Sequence, residues 1–356
     1  MTPLEREIRS IIETEGPIPV SHYMQLCLAH PRHGYYVTRD PIGQKGDFIT
    51  APEVSQMFGE LIGAWTAAVW EQMGSPPMIQ LVELGPGRGT LMADALRPAK
   101  AWPEFRAALS VHLVEISPAL REAQQRTLAG ETRVQWHETI QDIPAGPAIF
   151  IANEFIDVLP VRQFVKDVDG WHSRAVGLVG GKLNFVVAPH SMPKQFNDDA
   201  LDAPDGTILE LRDEGPTTLV AERLVRQGGA ALIADYGHDG ITLRDTLQAV
   251  RNHRYTDPFT APGEADLTTH VSFGELAVWA KRAGAAVHGP ISQGEFLRRL
   301  GIEARAARLK QNATPQQAAD IDSALARLTA PDQMGELFKV LAIADRKLGP
   351  LPGFDR

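Results

Sequence analysis

The run Leu81-Val82-Glu83-Leu84-Gly85-Pro86-Gly87-Arg88-Gly89-Thr90 sets a carboxylate just ahead of glycines that alternate with other residues. Its apolar start reads as a buried strand, its glycines as a tight turn and the residues from Arg88 onward as a helix. A dinucleotide fingerprint needs glycine at the first, third and sixth positions, so that backbone can hug a pyrophosphate. The sixth position here is Thr90, and that reading fails. The remaining pattern suits a bulky nucleoside laid against backbone, with Glu83 accepting from a cationic amino group. S-adenosylmethionine carries such a group, a sulfonium and no phosphate. A second acid supports the choice. Val111-His112-Leu113-Val114 reads as another strand, ended by Glu115 and Ile116, with Ser117 as helix cap and Pro118 in the first turn. A carboxylate there can take both ribose hydroxyls. The cofactor candidates are therefore Glu83, Gly85, Pro86, Gly87, Gly89, Glu115 and Ile116. The plainer alternative makes both glutamates ordinary strand-end acids.

Positioning these residues requires alternating elements. A long amphipathic helix is expected from Thr50 to Met73, with Pro52 near its start. Strands come next at Met78 to Leu84, Val111 to Glu115, Arg133 to His137, Ala148 to Ala152 and Gly229 to Asp235, with helices from Arg88, Pro118 and Asp213 between them. Arg97 to Ser110 is read as one long connection. Near-continuous apolar strands alternating with helices imply a parallel sheet covered on both faces. Between Val161 and Leu211 the pattern breaks into turn-linked strands, a small antiparallel β insertion. Gly237 to Thr269 reads as loop. A helix from Ser272 to Ala283, a strand Ala285 to His288, a helical segment Gln293 to Leu328 and a last strand Leu337 to Ile343 complete the core. Pro350 to Arg356 reads as a loose tail. The expected organisation is an N-terminal helical and lid region over 1–75, a core over 76–160 and 212–346, and the insertion over 161–211.

Composition narrows the classes. The chain has 356 residues, 44% hydrophobic and 22% charged, as globular proteins do. No apolar run approaches the roughly 18 residues that span a bilayer, so no membrane insertion is expected. The formal net charge of -9 argues against nucleic acid, whose binders concentrate positive charge. The start, with Thr2, Pro3 and Glu5 as a capping box, resembles neither a signal nor a transit peptide, so a bacterial cytoplasmic setting is expected. Cys27 is the only cysteine and is read as packing. The 11 histidines lack ligand spacing, so no metal site is expected.

With these segments in place, the chain resembles the MidA family, which includes the mitochondrial complex I assembly factor 7 proteins. The resemblance rests on His30-Pro31-Arg32-His33-Gly34-Tyr35-Tyr36, Gly46 to Ser55, Glu83 to Thr90, Ala152-Asn153-Glu154-Phe155-Ile156-Asp157-Val158-Leu159-Pro160, Ala234 to Gly240, Ala265 to Thr268 and Met334-Gly335. It implies a class I S-adenosylmethionine-dependent methyltransferase fold of seven strands, the last antiparallel. It further implies methylation of arginine on a protein partner, a respiratory complex I subunit in the mitochondrial members. The organelle-targeting extension of those members is not recognisable here.

Methyl transfer from a sulfonium is an in-line displacement, so the protein must align the reactants and exclude water. A guanidinium acceptor, with a pKa above 12, calls for carboxylates that bind it and offset its charge as a proton leaves. Glu154 and Asp157, at the carboxyl end of the fourth strand where ligands bind, are the expected clamp, with Asn153 beside them. Alternatively they cap the next turn or contact the insertion. Asp235, Tyr236 and His238 end the fifth strand on the same edge. Tyr236 could contact the acceptor and His238 could relay a proton, or they could shape a turn. Asp47, Phe48, Thr50 and Glu53 are expected to fold over the cofactor as a lid, unless Thr50 merely caps a helix. His137 and Glu138 are placed to contact adenine. Two other functions stay open: methylation of a small molecule, and a non-catalytic S-adenosylmethionine-binding assembly chaperone.

Overall fold

The computed structural model describes residues 1–38, 43, 49–131, 133–191, 203–241 and 243–354. Its centre is an eight-stranded sheet with seven strands in its main path, β1 Ile79–Leu84, β2 Leu109–Val114, β3 Val134–His137, β4 Ala148–Asn153, β5 Gly229–His238, β6 Ala286–Ser292 and β7 Phe338–Ala344, and the short strand Val271–Ser272 pairs with the end of β5. In space the seven run β3-β2-β1-β4-β5-β7-β6. Strands β1 to β5 are parallel, and β7 inserts antiparallel to both β5 and β6. A main path of seven strands with the last antiparallel is what the family resemblance implies. Apolar residues fill both pleat directions, Leu81 and Ile149 toward one face, Val82 and Phe150 toward the other. Burying each such side chain contributes about 1.5–3 kcal/mol, and two faces so covered leave the strand ends as the open edge.

The reversal of strand order between β1 and β4 fixes where a ligand can enter. Strand order runs outward to β3 on one side of β1 and to β4 on the other, which opens a crevice at their carboxyl ends. The glycine turn lies there. Gly85, Gly87 and Gly89 have φ of 63°, 52° and 81°, a left-handed conformation that glycine adopts without a Cβ clash. A Cβ on Gly85 would stand 2.6 Å from the Phe155 ring.

Several expectations are corrected. The helix expected from Thr50 to Met73 is two helices, Ala51–Val54 and Gln56–Gln72, because Ser55 is extended and its hydroxyl caps the second by accepting from Met57 N. The connection from Arg97 to Ser110 contains the helix Pro103–Ala108. The segment read as loop from Gly237 to Thr269 holds a three-stranded sheet of Gln248–Arg251, Arg254–Thr256 and Asp266–Thr268. The tail is not loose: Leu351 is buried, and the carbonyls of Pro350 and Pro352 accept from Gln72 and Trp65. Thr2 caps the first helix through Glu5 N, but the Glu5 carboxylate turns to Arg9 rather than back to the cap.

The insertion is antiparallel, with strands Val161–Asp167, Gly170–Val179, Lys182–Ser191 and Ile208–Arg212. The N-terminal segment Ile18–Pro19 adds to its edge, pairing with Val176 and Ala175. One apolar cluster, including Ile8, Tyr23, Val176 and Leu267, then joins N-terminal helices, insertion and the small sheet.

Candidate functional site

A cavity of about 330 Å³ lies at the open edge, over the glycine turn. Among the described residues, its lining holds four carboxylates, Glu53, Glu83, Glu115 and Glu154, against one guanidinium, Arg88. The pocket therefore offers several carboxyl acceptors to a ligand that donates hydrogen bonds.

Glu83, inside β1, is buried, and its Oε2 has no hydrogen-bond partner in the protein. Burial, then the nearby Glu115, pushes its carboxyl up to about 8. A buried acceptor without a donor is costly, and an ammonium group arriving at Oε2 would remove that cost. Asn153, at the end of β4, likewise leaves Oδ1 unpartnered while its Nδ2 donates to Glu154 Oε1 at 3.2 Å. Glu115 comes directly after β2. Its Oε1 accepts from Ser117 N at 2.8 Å and its Oε2 from Gln124 Nε2 at 3.2 Å. Burial pushes its pKa up, opposed by the Ser117 and Gln124 bonds. Beside it Ile116 is 52% exposed, an apolar face that a purine base could cover. These residues fit S-adenosylmethionine: acceptors for its amino group and ribose, close backbone for its nucleoside, apolar surface for its base.

Glu154 begins the turn after β4 with φ of 50°. A non-glycine residue there carries strain of about 1–3 kcal/mol, and the turn holds the side chain at the cavity wall. Its Oε1 accepts from Ala51 N at 2.8 Å, so it caps the first turn of helix Ala51–Val54, a partner outside the two alternatives foreseen for it. Burial pushes its pKa up to about 7. Asp157 departs from the expected clamp. It is buried one layer behind the cavity wall, its backbone N–H donates to Asp235 Oδ2 at 3.1 Å, and it takes a hydrogen bond from Tyr236 near Arg212. The reason is the turn itself: three residues past Glu154 the chain has swung under β5.

Tyr236 and His238 also stand off the cavity lining. Tyr236 packs edge-on against His270 and Phe338, and His238 pairs in register with Ser272. Burial and then Arg244 lower the His238 pKa. Glu138 lines a neighbouring cleft of about 630 Å³ instead, its carboxylate 4.0 Å from Arg121. His137 turns to His112, Nε2 to Nδ1, at 2.9 Å. The partner of His137 lies within β2, and that of Glu138 on the helix Pro118–Thr127. Thr50 sits at the cap position of Ala51–Val54 without a side-chain cap hydrogen bond, and it lines the cavity. Glu53 accepts from the Thr90 hydroxyl at 2.6 Å and so ties helix Ala51–Val54 to the glycine turn. Asp47 and Phe48 lie outside the described residues.

Other lining residues had no assignment from the sequence. Tyr36 lines the cavity and donates to Asp266 Oδ1 at 2.9 Å; it sat inside a quoted motif, and only the packing of N-terminal helices over the sheet edge brings it in. Phe155, again within a motif, covers Gly85. Behind the lining, Gln124 is fully buried between turn and Glu115, with nothing in its helix to mark it.

Comparison with known proteins agrees with this geometry. Residues 61–291 match the model of a family described as S-adenosyl-L-methionine-dependent methyltransferases. The chain is 40% identical to the protein arginine methyltransferase NDUFAF7 homolog, mitochondrial, of Drosophila melanogaster, over 96% of this chain and 84% of that one. It is 39% identical to the protein arginine methyltransferase NDUFAF7, mitochondrial, of Homo sapiens, over 96% and 83%. Its structure is similar, with a TM-score of 0.87 and 29% identity over 99% of this chain and 94% of the other, to a COG1565 superfamily member from Burkholderia thailandensis bound to S-adenosyl-homocysteine.

Proposed function

The chain belongs to the family of S-adenosyl-L-methionine-dependent methyltransferases and is an enzyme of that class; from that premise we propose that its acceptor is an arginine side chain of a protein partner. One observation carries the reading: four carboxyl groups against one guanidinium line the cavity, more acceptors than one cationic cofactor uses. A guanidinium entering beside the cofactor would take up the remainder. The names of the relatives, protein arginine methyltransferases, support the same class.

The bound cofactor supplies the sulfonium methyl group. Glu83 Oε2 would accept from the cofactor ammonium, Glu115 from the ribose hydroxyls, and Gly85 to Gly89 would let the nucleoside lie close. Asn153 Oδ1 stands ready as a further acceptor. At the other end, Glu154 has Oε1 engaged by Ala51 N and Asn153, which leaves Oε2 to hold the acceptor and take the proton that its nitrogen loses. A carboxyl pushed up to about 7 can receive that proton near neutral pH, as general-base work requires. Asp157 and Tyr236 act behind this wall by fixing the turn. The lid, through Glu53 and Thr90, closes over the cofactor and excludes water.

A partner of the complex I type is supported by the family resemblance. The relatives' names are mitochondrial, and among the described residues no helix is long and apolar enough to cross a membrane. The deciding experiment incubates the protein with labelled S-adenosylmethionine and host lysate, then maps the labelled product by mass. The expected result is a protein labelled on arginine, with Glu154→Gln slowing transfer about a hundredfold or more while S-adenosylhomocysteine still binds. Label found only in a small metabolite would refute the protein acceptor, and full activity in Glu154→Gln would refute its role.

A further inference from the structure

We propose that Gln124 is a positioning residue for the cofactor, a single amide that locks the ribose acid and the glycine turn to each other. The proposal rests on the reading of Glu115 as the ribose acceptor. Gln124 lies mid-helix in Pro118–Thr127 and is fully buried. Its Nε2 donates to Gly87 O at 2.8 Å and to Glu115 Oε2 at 3.2 Å, and its Oε1 accepts from Trp136 Nε1 at 2.9 Å.

The chemistry of the three partners forces this orientation. An indole N–H can only donate, so it must meet the amide oxygen. A carbonyl and a carboxylate can only accept, so they must meet the amide nitrogen. Trp136 thereby aims the Gln124 donors. Helix and turn are also in contact, since a Cβ on Gly89 would lie 3.4 Å from Gln124 Cα.

Binding is affected in two ways. Fixing the Gly87 carbonyl fixes the planar peptide it belongs to, and with it the backbone surface offered to the nucleoside. Holding Glu115 Oε2 from one side while Ser117 N holds Oε1 stops rotation of the carboxylate. Each oxygen then keeps a lone-pair direction for one hydroxyl of a vicinal diol. Gln124 touches no ligand itself; it sets the geometry of groups that do.

The test uses two probes, S-adenosylhomocysteine and its 2′,3′-dideoxyribose analogue, titrated calorimetrically against the full chain. Gln124→Met keeps length and volume but cannot donate. Losing hydrogen bonds to a charged group, it is expected to weaken S-adenosylhomocysteine about tenfold or more. For the analogue, which lacks the hydroxyls that Glu115 would hold, only the part transmitted through the Gly87 carbonyl is left, and the loss should stay below about threefold. Trp136→Phe, which frees the amide to turn, is expected to show the same pattern at smaller size and decides the matter if Gln124→Met does not fold. Equal losses on both probes, or none, would overturn the proposal, because a merely structural glutamine affects both alike. Wild-type protein that binds both probes equally would instead remove the reading of Glu115, and the proposal with it.

Discussion

Glu83 is a carboxylate that the folded protein holds in an unfavourable state until a ligand arrives. Burial and then Glu115 push it up to about 8 from an ordinary 4.5. Because the folded state favours the proton, the stabilising contribution of neutral Glu83 is fully present below about pH 4.5 and lost as pH rises through about 8. An ammonium group at Oε2 reverses the preference. Binding of S-adenosylhomocysteine is therefore expected to expel protons between about pH 5 and 8 and to cease doing so above that range. Calorimetry in buffers of different ionisation heat reads the count directly. Glu83→Gln should abolish most of the release, and an unchanged proton count in that variant would refute the assignment.

At the scale of elements, the lid and the glycine turn are held by two helices in unusually close contact. Helix Gln56–Gln72 meets helix Thr90–Ala99 through Gly59 and Gly63, where added Cβ atoms would lie 2.5 Å from Asp94 Cβ and 2.1 Å from Ala95 O. The second helix opens directly out of the cofactor turn. Gly63→Ala must push it outward, and overpacking of this kind costs about 1–3 kcal/mol. We expect a lower urea midpoint together with weaker S-adenosylhomocysteine binding. A variant with wild-type stability and affinity would show that the close approach is not needed. The break at Ser55 belongs to the same device: by capping the longer helix it turns Ala51–Val54 toward Glu154 and Glu53 toward Thr90.

Across the whole molecule, distant segments converge on the back of the site. Glu210 accepts from Gln163 and Thr246, Arg174 and Gln163 reach Asp245, and Arg212 donates to Thr269, whose N–H donates to Asp157 O. The insertion is thereby wired to the turn that carries Glu154. The far end of the chain is fixed as well. Ending it after Gly349 would delete buried Leu351, the Phe354 ring packed on Phe296, and the carbonyls that accept from Trp65 and Gln72. Losses of this type add to about 3–5 kcal/mol. The truncated chain should unfold at clearly lower denaturant, and an unshifted midpoint would mean that the tail contributes nothing.

The amino-acid sequence by itself determined the succession of core strands along the chain, the antiparallel insertion, and the place of Glu83 and Glu115 at strand ends beside the glycine turn, because these depend on local signals: apolar runs, glycine spacing, a capping serine before a proline. Family motifs extended that reading to the methyltransferase class. Only the tertiary structure decided which acids face the cavity. Glu154 and Asp157 are equivalent in sequence, yet a left-handed turn keeps one at the wall and buries the other beneath β5. Tyr36, Gln124 and the packed tail were invisible for the same reason. Their partners, Asp266, Gly87 and Trp65, lie far off along the chain, and a hydrogen bond across such a separation leaves no periodicity to read.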